Sequence, residues 1–175
     1  MSDEKYAAAA CTSGNPEAAK ADIAKLAELR DKLRDVKDAY WSEQVDIERQ
    51  IATAWVIYAE GKHDDGLIAM SAAADAEDKT EKHPVTPGVP KPARELYGVM
   101  LLESGNAKDA LTAFEATLKK EPNRLGAYAG AAMAAEKSGD SAKALEYYGK
   151  VVAIADGADK ARTEVADARA FVQKH

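Results

Sequence analysis

The sequence predicts an all-α fold: an α-solenoid of about three to four helix-turn-helix repeats followed by a C-terminal capping helix. Three observations predict it. Alanine dominates the 175 residues, Leu, Lys, Glu and Asp are plentiful, and Phe is scarce. That mixture favours helices packed closely through small residues. Next, "ARELYGVMLLESGNAKDALTAFEATLKKEPN" (93–123) aligns without a gap onto "AYAGAAMAAEKSGDSAKALEYYGKVVAIADG" (127–157), an offset of 34 residues. A fixed period of this length is the mark of a stacked helical repeat. Finally, four of the six prolines fall in one stretch, "EKHPVTPGVPKP" (81–92), so the rest of the chain is free to be helical.

The elements follow in chain order. "YAAAACTSGNPEAAKADIAKLAELRDKL" (6–33) reads as a weak first unit. Residues 2–12 form a short first helix, Gly14 is the turn, and Asn15 caps a second helix whose first residue is Pro16. Ala19 and Ile23 take second-helix positions. Cys11 is the only cysteine, which excludes an intramolecular disulfide and a multi-cysteine metal site. Its alanine-rich surroundings make it a small buried residue. A long helical run from about Asp38 to Glu60 follows, and Tyr40 and Trp41 staple its start to the preceding helix. "IATAWVIYAEGKHDDGLIAMSAAADAED" (51–78) is the second unit, with Gly61 at the turn, Asp64 as cap, Gly66 at a close helix contact and Met70 in the core.

The proline stretch then interrupts the array as an insertion over 80–91 within a single domain, 1–175. Prolines at this density enforce extended or turn backbone. Two repeats on either side would be marginal alone, since three are usually needed, so the insertion reads as a rigid excursion and not a domain linker. Each proline reduces the entropy lost on ordering, and Val85 and Val89 offer apolar side chains that can dock. Pro92 opens the next helix. In the two strongest units, Gly105 and Gly139 suit the left-handed position that ends a helix, and Asn106 and Asp140 cap the helix that follows. Pro122 closes one unit and Asn123 caps the next. "ADKARTEVADARAFVQ" (158–173) is amphipathic and covers the last repeat's exposed apolar face.

Gly98, Ala110, Phe114 and Pro122, with Tyr97 and Leu101 at large apolar positions, resemble the tetratricopeptide repeat. Ala144 matches in the following unit, while Ala132, Tyr148 and Asp156 depart from that family's glycine, aromatic and proline. "DAEDKTEKHPVTPG" followed by "ARELYG" is similar to the same junction in uncharacterised bacterial proteins of this type, a resemblance that implies no reaction. Members of that group extend further at the N-terminus, which would place the start of this chain midway through the usual array.

The function classes narrow as follows. A formal net charge of −6, with basic and acidic residues interleaved, argues against nucleic acid as partner. No run of about 18 apolar residues exists, so no membrane insertion is expected. The apolar stretch near the N-terminus is too short, and its lead-in too acidic, for a secretory signal. The cytoplasm is the default compartment, and export is the alternative should a leader precede this chain. Of the three histidines, His63 lies in "HDD" at a repeat turn, where Asp64 and Asp65 serve the helix start. His83, near Asp78 and Glu81, reads as a solvated loop residue, and His175 as a frayed terminus. These residues predict no catalytic site, no metal and no cofactor.

The resemblance implies instead a binding protein that works through a concave face lined by the first helix of each repeat. A variant of the family grips acidic peptide tails with Lys, Asn and Arg. The matching positions here are Glu95, Val99, Ala129, Gly130 and Met133, none of them of those types, so tail capture by that means is disfavoured. The same register aligns Trp55, Val99 and Met133, flanked by Tyr58, Leu102, Ala129 and Gly130. Two readings of this stripe stand: packing between neighbouring first helices, or a groove for an apolar helix or extended peptide. The expected function is a non-enzymatic scaffold for another protein or peptide. A homodimer is one alternative. A small-ligand pocket closed by the proline loop, with His83, Pro84, Val85 and Pro87 as its residues, is another.

Overall fold

The computed structural model describes residues 16–81, 89, 91–157 and 162–175, which form eight helices with no strand among them. These are α1 (Pro16–Asp35), α2 (Ala39–Ala59), α3 (His63–Lys79), α4 (Ala93–Glu103), α5 (Ala107–Lys120), α6 (Leu125–Ser138), α7 (Ser141–Ile154) and α8 (Thr163–Lys174). The all-α helical repeat is thus as expected. The readings of residues 2–12, Cys11, Gly14 and Asn15, and of His83, Pro84, Val85 and Pro87, lie outside the described residues. The chain divides into two compact units, Met1–Ala93 and Arg94–His175.

In the first unit α1 packs on α2, and α2 on α3. The long run read from the sequence is α2, 21 residues, capped by the Asp38 carboxylate, which accepts the Trp41 backbone N–H. Ile47, Ile51, Ala54, Trp55 and Val56 of α2 meet Met70, Ala73 and Ala74 of α3 in a core that excludes water. Gly61 ends the α2 turn at φ +86°, a conformation that costs a side-chain-bearing residue about 1–2 kcal/mol. Gly66 admits the close helix contact: a Cβ there would come within 2.8 Å of the Tyr58 Cβ.

One expectation for this unit needs correction. Asp64 is not the cap of α3. The helix begins two residues earlier, at His63 with Lys62 at the cap position, and Asp64 and Asp65 lie in its first turn, where the macrodipole favours them. Tyr40 and Trp41 pack edge-to-face on each other, centroids 5.2 Å apart, but Trp41 remains 42% exposed. A polar tie also holds the two helices near this point: Arg30 of α1 donates to Asp46 of α2 at 3.0 Å, and Asp46 also accepts from Arg49 and Gln50.

In the second unit α5 packs on α6, α6 on α7, and α7 on α8. The organising side chain is Phe114 of α5, fully buried. Its ring lies against Gly98 of α4 and Gly130 of α6. A Cβ on Gly98 would approach the ring to 2.9 Å, and one on Gly130 would come closer still. Helix α6 buries Ala127, Ala129, Gly130, Ala131, Ala132, Ala134 and Ala135, nearly its whole circumference. An alanine-rich helix surrounded in this way draws its stability from contact area and close approach, not from one apolar stripe.

Gly105 and Gly139 adopt φ of +80° and +84°, as their alignment predicts. Asp140 caps α7 by accepting the Lys143 N–H at 3.0 Å. Asn106 holds the matching position before α5 but makes no side-chain cap hydrogen bond. Nor does Asn123 cap α6. Arg124 occupies that place, and Asn123 turns the chain at φ +66°, a left-handed conformation that asparagine tolerates.

Helix α8 buries Val165 and Ala168, and its Phe171 ring lies 4.6 Å from that of Tyr148. The His175 ring, exposed at the chain's last residue, stacks on Phe171 at 4.2 Å. Ala110 and Ala144 are both fully buried at the second-helix contacts. Ala110→Leu and Ala144→Leu are each expected to lower stability by about 1–3 kcal/mol, since added methylenes in a filled contact force the helices apart. Urea titration followed by circular dichroism measures this, and parental midpoints for both variants would refute the repeat register.

Candidate functional site

The inner-face residues read from the sequence divide by burial. In the first unit Trp55 is 1% exposed, so it is core. Tyr58 is half-buried one turn further on, edge-to-face with Trp55 at 5.9 Å and with the His63 ring at 4.5 Å. In the second unit Leu102, Ala129 and Gly130 are buried, while Val99 and Met133 are half-buried at matching positions of α4 and α6. Within its own unit each face therefore presents a part: Tyr58 in the first, and Val99 and Met133 in the second.

Glu95 is the candidate whose role changes most. It is only 3% exposed, and its Oε2 accepts from Arg124 Nε at 2.7 Å. Its Oε1 lies where a Cβ on Gly126 would come within 2.5 Å. The carboxylate thus ties the first turn of α4 to the start of α6, with Gly126 providing the room. Its negative charge also faces the positive end of the α6 dipole. A side chain engaged in this way holds two inner helices together and has little freedom to meet a ligand.

The polar constellation most like a reactive site is Glu115 of α5 with Lys143 and Tyr147 of α7. Glu115 Oε1 accepts from Lys143 Nζ at 2.7 Å and from the Tyr147 hydroxyl at 2.8 Å. Partial burial tends to raise the Glu115 pKa, but these two donors outweigh it and hold the carboxyl below its ordinary value. The hydrogen bond to Glu115 raises Lys143. Burial, then the bond to the carboxylate, pushes Tyr147 well above a normal phenol. Each shift favours the group's resting protonation state, which leaves Glu115 a weak base and Lys143 and Tyr147 poor proton donors. The triad is a brace between α5 and α7.

Among the described residues no three His, Cys, Asp or Glu side chains gather in a way that could hold a metal ion, and no helix is long and apolar enough to cross a membrane. The pairs Glu95–Arg124 and Glu115–Lys143 escaped the sequence reading because their partners lie a repeat apart, where no local spacing marks them. The 34-residue period held the only clue, since Glu95 and Ala129, one period apart, sit on neighbouring first helices. In the first unit the exposed large apolar side chains are Val36 and Ile68, at 73% and 69%, with Leu29 and Trp41 also open to solvent. Of these only Trp41 was singled out in advance. No family model matches the chain, and no curated protein sequence matches it.

Proposed function

We propose that the chain is a non-enzymatic interaction scaffold, a tetratricopeptide-like array that binds a peptide or helix of another protein through the inner faces of its first helices. The observation that carries this reading is the half-exposure of Val99 and Met133, at equivalent positions of α4 and α6. They are the partly open apolar side chains of a face whose other apolar members in the second unit, Leu102, Ala129 and Gly130, are buried. Small neighbours let a partner backbone approach, and partly open aliphatic and thioether groups supply the area it buries. The favoured resting protonation of Glu115, Lys143 and Tyr147 supports the non-enzymatic part of the reading.

Affinity capture from the native host tests it. Val99→Glu and Met133→Glu are expected to keep the parental circular dichroism spectrum and to reduce recovery of the captured partner at least about tenfold, because each places a charge in an apolar contact. Recovery at parental levels by both variants would overturn the reading. Self-association is the second reading, favoured by the exposed Leu29, Val36, Trp41 and Ile68 of the first unit. Light scattering separates the two: a dimer without a captured partner would favour it.

A further inference from the structure

The segment 81–92 interrupts the helices, yet the residues flanking it meet. At its start α3 ends at Lys79, and Thr80 folds back, its backbone N–H and its hydroxyl both donating to the Glu77 carbonyl at 3.0 and 2.8 Å. At its end Pro92 and Ala93 are buried. Ala93 is the first residue of α4, so its N–H is one of the orphan donors that every helix start must satisfy. Pro92, just before it, has neither a side-chain acceptor nor an N–H. The acceptor comes instead from Glu77, in the last turn of α3 and 5% exposed, whose Oε2 takes the Ala93 N–H at 2.7 Å.

We propose that Glu77 is a latch: a buried carboxylate in the last turn of α3 that caps the first residue of α4 and sets where that helix begins. Three features make the bond suited to that task. It is charge-assisted and short, hence among the stronger hydrogen bonds a protein makes. It places a negative charge at the positive end of the α4 dipole. It joins residues 77 and 93 directly, so the path of residues 78–92 does not by itself fix the start of α4.

Amide hydrogen exchange on the intact 175-residue protein tests the latch, in Glu77→Ala, Glu77→Asp and Glu77→Gln. Aspartate keeps the charge but is one methylene shorter, while glutamine keeps the length and an acceptor oxygen. Exchange at Ala93 is expected to accelerate at least about tenfold in the Ala and Asp variants, the loss expected for a charge-assisted bond. Amides in the middle of α2 and α6 should keep their parental rates, and the Gln variant, which keeps an acceptor oxygen but loses the charge, should fall between the parent and the Ala variant in Ala93 protection. Unchanged Ala93 exchange in both Ala and Asp variants would overturn the latch. So would an equal acceleration across every helix, which marks general destabilisation, or a Gln variant that loses as much protection as Ala. Should the Ala variant fail to fold, the Asp and Gln pair carries the test.

Discussion

Phe114→Ala is expected to cost about 3–5 kcal/mol, more than any alanine enlargement at the helix contacts. The ring is fully buried and meets glycines on two other helices. Removing it leaves a hole bordered by backbone, and backbone held in α4 and α6 cannot relax into the space as flexible side chains can. The glycines should then change character. In the parent, Gly130→Ala crowds the ring and should cost about 1–3 kcal/mol. In the Phe114→Ala background the same methyl enters the hole, so the penalty should shrink or reverse. Urea titrations of the two single variants and the double variant close a mutant cycle, and the coupling should be of the order of 1 kcal/mol or more. Strict additivity would mean that Phe114 and Gly130 do not share a contact, and the packing described for the second unit would be wrong.

That contact also shows how far the sequence carries. The 34-residue alignment places Phe114, Ala110 and Ala144 in the core and puts left-handed glycines at 105 and 139, all as observed. These positions are legible because each is forced by a local need: a turn with positive φ, or a helix contact too close for a large side chain. Helix caps are less legible. Asp140 caps while Asn106 in the equivalent place does not, and Asp64 lies one residue inside the helix it was expected to start. Several polar side chains near a helix start satisfy the same sequence pattern, and tertiary packing chooses among them. The inner face is the least legible part. A charged residue at a repeat's inner position reads as exposed, but Glu95 is buried because Arg124 and the start of α6 come to meet it. Burial of a carboxylate depends on partners 29 residues away, and no helical period reports them.

The remaining large effect concerns Trp55, which stood between two roles. Trp55→Ala is expected to cost about 3–5 kcal/mol, as for any large aromatic removed from a core. Trp55→Phe should cost far less, about 1–2 kcal/mol. The indole N–H is buried and has no hydrogen-bond partner among the described residues, and an unmet donor of that kind carries a penalty of about 1–3 kcal/mol. Phenylalanine sheds that donor while keeping most of the ring contact with Tyr58, so the removed penalty offsets part of the lost area. The chain's two tryptophans make the measurement direct. Trp41 is open to solvent and Trp55 is not, so in a Trp41→Phe background the emission should be blue-shifted and insensitive to iodide. The same variants decide Trp55's part in binding. As a core residue, Trp55→Phe should leave partner capture at its parental level while Val99→Glu and Met133→Glu abolish it. Loss of capture in a Trp55→Phe protein with parental stability would instead place the indole in the contact, and would mean that the inner face of the first unit opens when its partner arrives.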